Sequence, residues 1–463
     1  MCYTEFIVSS DTCLEFVEKA NHIFIEREKI KTMLKLIFKN LWARRRRNGW
    51  LLAELILVSI VTWIILDPVI VVTHDRSIPL GYDADRLCLI SLSKLQPQAP
   101  GYNEEAEDST VIMNTYFNLV NLVRNYPEVE SATPVIGFCY PNSRGNSNTQ
   151  LGVEGDSVEI SIMSMYFLPH TQFFETYGFR PGIGMTPEQL SEYNYTKNDI
   201  VFTENTAEHF FKTKDVSGRR CWSRRGTDTT YVSIIGVVGT FRAYSEWRPV
   251  SLQFCPMISI DMEDIDDNAR ILLRIKEGVS MERFLHDFKP WMVKELRGGN
   301  LFARSVLSYE DLIVEAEADG ATFIYRRNLA MAAFFLINLC LGVIGTFWLQ
   351  TRTRREEVGV MRSFGGTPGY ILRMLMGEGA VLTFVAVLAG CLLYLQYALK
   401  EGLANGENWR ASTEEYWVTD FTQHFLVVSF IVFFIMLVVV VVGIYIPARR
   451  ISRIPPTEAL RDE

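Results

Sequence analysis

Apolar residues gather into four long runs, separated by very unequal polar intervals. One run lies near the start, Trp50–Val72, and three crowd the end, at Asn328–Leu349, Met374–Leu399 and His424–Ile446. A hydrocarbon core about 30 Å thick is crossed by about 20 apolar residues in a helix, and each run has that length. The pattern predicts a four-helix membrane protein in a one-plus-three layout, with spans at 49–72, 328–349, 374–399 and 424–446. Roughly 250 residues separate the first two spans, enough for one or two domains of ordinary size.

That interval mixes two periodicities. Runs rich in β-branched and aromatic residues predict strands at Leu87–Leu92, Thr133–Phe138, Val158–Met163, Asp199–Phe202, Tyr231–Val238 and Arg270–Ile275. Helical spacing appears at Val111–Asn125, Thr206–Phe211 and Met281–Leu296. Interleaved strands and helices predict a large α/β or α+β domain over 73–308, while the Gly- and Ser-rich 141–157 and polar 212–230 read as loops. From Tyr309 a polar helical stretch, 309–327, enters the second span without proline, which predicts one continuous stalk helix. Before the first span, 29–48 reads as an amphipathic helix, of which 33–48 follows the expected start, with Ile30, Met33, Leu34, Ile37, Phe38, Leu41 and Trp42 on one face and Lys31, Lys35 and Lys39 on the other. Residues 1–28 lack such a pattern, and 1–32 are expected to be either an extension ahead of a true start at Met33 or a disordered tail.

Charge gives the layout a direction. Lys and Arg flank the first span on its N-terminal side, including the run Arg44–Arg47, follow the second as Arg352, Arg354, Arg355, Arg362 and Arg373, and follow the fourth as Arg449, Arg450, Arg453 and Arg461. The segment 400–423 holds only Lys400 and Arg410 against five carboxylates. Short loops rich in Lys and Arg stay cytoplasmic, so both termini, the loop 350–373 and the tail 447–463 are expected inside, with 73–308 and 400–423 outside, in the periplasm. An overall charge of −8 argues against a nucleic-acid partner. The first run is too long for the apolar core of a cleaved signal peptide. Glu54 and Asp67 lie near its two ends, where a carboxylate reaches the interface or a partner helix.

Candidate chemistry is sparse. Cys88, Cys139, Cys221 and Cys255 lie in the outer block, where they permit three disulfide pairings or none. The six histidines are scattered, and no metal-binding spacing occurs. No G-x-x-x-x-G-K-[ST] cradle for nucleotide phosphates is present, nor a G-x-S-x-G, H-E-x-x-H or kinase set. The expectation is a non-catalytic chain that itself binds no cofactor.

The loop after the second span reads Thr353-Arg-Arg-Glu-Glu-Val-Gly-Val-Met-Arg-Ser-Phe-Gly-Gly-Thr367, and Glu378 opens the third span. The chain's last segment reads Pro447-Ala-Arg-Arg-Ile-Ser-Arg-Ile-Pro-Pro-Thr-Glu-Ala-Leu-Arg461. Both resemble the MacB/FtsX-type ABC transporter permeases, in the order and after the spans where those motifs stand. Ile200–Ala207 and Ile234–Gly239 are also similar to the MacB periplasmic core. The resemblance implies an inner-membrane permease subunit that pairs as a homodimer or heterodimer with a related permease. It implies a separate cytoplasmic ATPase that binds ATP and Mg, and movement passed through the stalk rather than a pore, serving efflux of peptides or drugs or the handling of lipoproteins. A periplasmic adaptor with an outer-membrane channel is a further implied partner, besides membrane lipid; an FtsX-like chain would instead activate a cell-wall hydrolase. It implies ATPase-coupling residues at Arg354, Glu356, Glu357, Val358, Gly359, Val360, Met361, Arg362, Gly365 and Gly366. A short helix at 354–364, stopped by Gly365-Gly366 and followed by Thr367-Pro368 as the next helix start, suits that role.

Overall fold

A computed structural model describes residues 35–455 apart from 38, 44, 138–139, 144, 146, 156–157, 226–227, 261–264, 266–267, 319–320, 353 and 405–415. The expected extension 1–32, residues 405–415 of the loop 400–423, Cys139 and the end of the C-terminal motif lie outside the described residues. Residues 35–37 and 39–43 are helical, with Ile37 buried and Trp42 exposed. Contacts divide the chain into two units, one of residues 71–326 and 405–419, the other of the remainder.

Helix α1 (Arg45–Ser77) carries the first apolar run and continues through Pro68. Then follow β1 (Leu87–Lys94), α2 (Ser109–Arg124), β2 (Val129–Val135), β3 (Asn148–Val153), β4 (Ile160–Phe167), α3 (Phe173–Tyr177), α4 (Pro187–Glu192), β5 (Asp199–Thr203) and α5 (Glu204–Phe211). The block continues with β6 (Arg220–Arg225), β7 (Asp228–Val238), β8 (Leu252–Pro256), β9 (Arg270–Ile275), α6 (Met281–Glu295), β10 (Arg297–Gly298), β11 (Leu301–Ser308) and α7 (Tyr309–Ala318).

The strands form a five-stranded antiparallel sheet, in the order β10-β11-β1-β9-β2, and a closed barrel, β3-β4-β8-β5-β7-β6. Both faces of the sheet are covered, which explains why β1 reads as an unbroken apolar run. Cys88, Ile90 and Leu92 point toward α2 and α6, packing with Tyr116, Val120, Phe284 and Phe288, while Leu87 and Leu89 join an aromatic core with Phe173, Phe174, Tyr177 and Tyr309. Helix α2 is started by Asp108, whose Oδ1 accepts from Thr110 N at 2.9 Å. The barrel encloses Leu151, Ile162, Ile200, Phe202, Cys221 and Ile234.

The α/β character expected for the block is present, and β9 matches its predicted bounds. The two expected loops are corrected: 141–157 contains β3 and 212–230 contains β6, which pair with each other from Gln150↔Arg224 to Val153↔Cys221. Outward positions on a barrel strand face solvent, so Arg220, Arg224 and Gln150 hide the inward Cys221 and Leu151 from a reading by composition.

The second unit is helical. It comprises α8 (Ala321–Arg352), α9 (Arg355–Ser363), α10 (Pro368–Glu401), α11 (Phe421–Ser452) and the part of α1 up to Ile70. Among the described residues four helices are long and apolar enough to cross a membrane, at Gly49–Ser77, Thr322–Thr346, Pro368–Glu401 and Phe421–Ser452. The expected stalk is helical on both sides of 319–320, and its continuity across that pair lies outside the described residues.

Small residues let these helices approach. A Cβ at Gly379 would stand 2.0 Å from Ile444 Cδ1, and one at Gly390 would stand 1.9 Å from Ser59 Oγ. Trp63 fills the centre, its ring 4.2 Å from that of Tyr394 and its Nε1 donating to Ser429 Oγ at 3.2 Å. Asp67 is buried, with Oδ1 2.6 Å from His424 Nε2 and Oδ2 accepting from Ala404 N at 3.0 Å, so this carboxylate pairs helices. A Cβ at Gly342 would lie 3.3 Å from Glu54 Oε1, whereas Gly345 has open space beside it.

Candidate coupling site

Helix α9 begins at Arg354, the residue before its first turn, and carries Glu356 and Glu357 where the positive end of the helix dipole favours carboxylates. Its last turn carries Arg362. The chain then reverses: Gly365 takes φ +89, and Gly366 N donates to Met361 O at 3.0 Å. A side chain at Gly365 would strain this left-handed turn, and a Cβ at Gly366 would come within 2.8 Å of Met361 O. Thr367 Oγ1 accepts from Tyr370 N at 3.3 Å, and Pro368 occupies the first turn of α10. The Gly-Gly-Thr-Pro punctuation thus ends one helix and starts the next.

The ten expected coupling residues divide between two faces. Val358 and Gly359 are buried, Val358 within the apolar core of the helical unit and Met361 packed partly against it. Arg354 is buried in an ion pair with Glu378 of α10, and Glu378 Oε1 also accepts from Asn40 Nδ2 at 3.2 Å. Arg362 Nη1 donates to Ser452 O at 3.0 Å and to Ile454 O at 3.4 Å, at the end of α11. The loop is therefore held by the helical segment ahead of α1, by α10 and by α11. Glu356, Glu357, Val360 and Gly365 face outward, and Arg362 and Gly366 are half-buried.

The sequence reading missed Phe364, which is 87 % exposed although it is a large apolar side chain. Its signal was available: Phe364 lies four residues after the exposed Val360, hence on the same helical face. Asn40 and Ser452 could not be found by spacing, because their partners lie far along the chain.

A second cluster lies in the unit of residues 71–326. Arg76 Nη2 donates to Glu317 Oε2 and to Thr322 Oγ1, both at 2.9 Å, and its guanidinium lies over the Tyr325 ring at 4.9 Å. Ser245 Oγ donates to Glu317 Oε1 at 2.6 Å. Buried Asp75 pairs with Arg248 at 3.0 Å, and its carbonyl accepts from Arg242 Nη1 at 2.9 Å. Burial lowers the Arg242 pKa, opposed by the neighbouring Tyr82, Glu317 and Asp75. The last turn of α1 is thus tied to α7, to the start of α8 and to the segment 242–248.

Among the described residues no group of three His, Cys, Asp or Glu side chains is placed to hold a metal ion. Cys88 and Cys221 are free buried thiols, each with its pKa raised to about 12 by desolvation.

The profile of the FtsX-like permease C-terminal family matches residues 329–456, which hold α9, α10, α11 and most of α8. No curated protein matches the sequence. Solved structures similar to the chain include a domain assigned to a permease protein of Porphyromonas gingivalis, at 16 % identity, covering 49 % of this chain and 92 % of that one with a TM-score of 0.29. The periplasmic region of MacB from Actinobacillus actinomycetemcomitans is 13 % identical, covering 51 % and 94 % with a TM-score of 0.30. The extracellular domain of the noncanonic ABC-type transporter YknZ from Gram-positive bacteria is 12 % identical, covering 47 % and 100 % with a TM-score of 0.24.

Proposed function

We infer that this chain, whose residues 329–456 belong to the FtsX-like permease family, is the membrane subunit through which a separate cytoplasmic ABC ATPase drives a change in an outer domain. The observation that carries the reading is the construction of α9. Its inner face is fixed by Val358, Arg354–Glu378 and Arg362, while its outer face offers Glu356, Glu357, Val360 and Phe364. A helix held on three sides passes on a push instead of absorbing it, and an exposed phenylalanine flanked by carboxylates fits an apolar socket with a basic rim. In this reading ATP and Mg belong to the ATPase, the chain is catalytically silent, and it works as one of a pair in the inner membrane. Its outer domain handles a peptide, drug or lipoprotein cargo, alone or with a periplasmic adaptor. Activation of a cell-wall hydrolase is the rival use of the same outer domain.

Burying a phenylalanine contributes about 2–3 kcal/mol, so Phe364→Ala should weaken ATPase capture by about tenfold or more. The test is co-purification in mild detergent from cells that express the chain with its own ATPase, with ATP turnover read in reconstituted vesicles. Undiminished capture and turnover by Phe364→Ala and Glu357→Lys together would defeat the assignment.

A further inference from the structure

Among the described residues three other than glycine take a left-handed backbone, Asn142, His170 and Lys212, and of these only Asn142 is buried. Glycine adopts that conformation freely, whereas another residue is held in it by what its side chain does. Asn142, at φ +58, is held from three directions. Its N–H donates to Ala243 O at 2.8 Å, its Oδ1 accepts from Ser245 N at 2.8 Å, and its Nδ2 donates to the Tyr82 hydroxyl. Tyr244 adds a bond from its own hydroxyl to Gly145 O. The segments 140–145 and 243–245 are thereby fastened into one piece. A strained residue so fully determined by its surroundings is where a fold keeps a working part.

Helix α7 meets that piece at both of its ends. Tyr309, its first residue, is buried, and its hydroxyl donates to Pro141 O, one residue before Asn142, while lying 3.2 Å from the hydroxyl of Tyr177. Glu317, its last residue but one, accepts from Ser245 Oγ at 2.6 Å, and Ser245 N is the group that the Asn142 carboxamide holds. The two anchors are eight residues apart, about 12 Å along the helix axis. A closed circuit results, from Tyr309 through Pro141, Asn142, Ser245 and Glu317 and back along the helix. A helix anchored at both ends to one piece can neither slide along it nor fray from it. Glycine at 142 would keep the turn and open the circuit, because both side-chain bonds leave with the carboxamide.

We propose that Asn142 is the positioning residue of a strap that binds α7 end to end to the outer block, so that movement of this helix is handed to 140–145 and 243–245 without loss. The strap stands on the geometry of the block; its use to pass on movement rests on the permease reading. The test uses the full-length chain assembled with its ATPase in lipid nanodiscs, read by amide hydrogen exchange. Tyr309→Phe removes one oxygen at the first anchor, and Ser245→Ala removes one at the second. Each should speed exchange in 309–318 by about fivefold, the factor that one hydrogen bond is worth. Cutting a circuit twice frees no more than cutting it once, so the double variant should exchange no faster than either single one. Independent contacts this far apart would multiply instead, to about 25-fold. Tyr177→Phe leaves the circuit closed and should leave exchange in 309–318 unchanged. Asn142→Gly should match the double variant, and Asn142→Asp, which still accepts from Ser245 N and from the Tyr82 hydroxyl, should restore slow exchange. With the circuit open, ATP turnover should continue while the ATP-dependent change in exchange within 71–326 is lost. Multiplied effects, unchanged exchange in the Tyr309→Phe and Ser245→Ala variants, or protection lost equally from β1 and β9 would each overturn the strap. An unaltered complex whose exchange ignores ATP would sink the permease reading and leave the strap standing.

Discussion

A carboxylate and a guanidinium buried side by side respond asymmetrically to change. Removing one partner leaves the other charged without compensation, at a cost of about 3–5 kcal/mol, whereas replacing both by apolar residues of similar volume is close to neutral. Arg354 and Glu378 are such a pair. Glu378→Ala should therefore lower the unfolding midpoint of the purified chain in detergent, and the double change Arg354→Leu with Glu378→Leu should recover most of the loss. Scanning fluorimetry reads this directly; a double variant no better than Glu378→Ala would show that the pair does not act as a unit. The same residues mark where the sequence stopped being readable. Arg354 and Arg362 stood in a recognisable motif, but their partners are 24 and 90 residues away, and one-dimensional spacing carries no information about them. Arg362 is expected as a contact for the ATPase, and its Nη1 donates to two backbone carbonyls of its own chain, partners that spacing could not name. Phe364 carried a short-range signal and could have been found.

At the scale of elements, the long apolar helices and the α9 turn were legible because each is specified locally, by a run of about 20 residues or by Gly-Gly-Thr-Pro. Strands β3 and β6 were not, because a barrel strand declares itself only through inward positions two residues apart, and here Asn, Gln, Gly, Arg and Trp fill the others. The contact of the end of α1 with the end of α7 and the start of α8 was likewise invisible, since Arg76 meets Glu317 across 241 residues. If these helices carry movement, Arg76 is the joint between them. Arg76→Ala should speed amide hydrogen exchange in 309–318 and in the last turn of α1 while leaving β1 and β9 protected. In the assembled complex it should also abolish any ATP-dependent change in exchange within 71–326. Exchange in 309–318 equal to that of the unaltered chain would show that the arginine holds nothing.

For the whole molecule, the distribution of charge predicts a sidedness, and the two units can be addressed separately. The loop that holds α9 is flanked by arginines, whereas 400–423 is acidic. Short loops rich in Lys and Arg stay on the cytoplasmic side, so insertion with α9 inside and 400–423 outside is the expected outcome. Two exposed positions report the outcome: Val293 on α6, 69 % exposed, and Phe364 after α9, 87 % exposed. Introduced as Val293→Cys and Phe364→Cys, the first should react with a membrane-impermeant maleimide in intact spheroplasts, above the background of the unaltered chain. The second should react only after the membrane is permeabilised. Each thiol is judged against its own labelling in detergent, so burial cannot mimic sidedness. If Phe364→Cys labels from outside, α9 stands on the wrong side for any cytoplasmic ATPase and the coupling assignment falls with it; if Val293→Cys labels only after permeabilisation, the sheet and barrel face the cytoplasm and the proposed outer work of the domain is excluded.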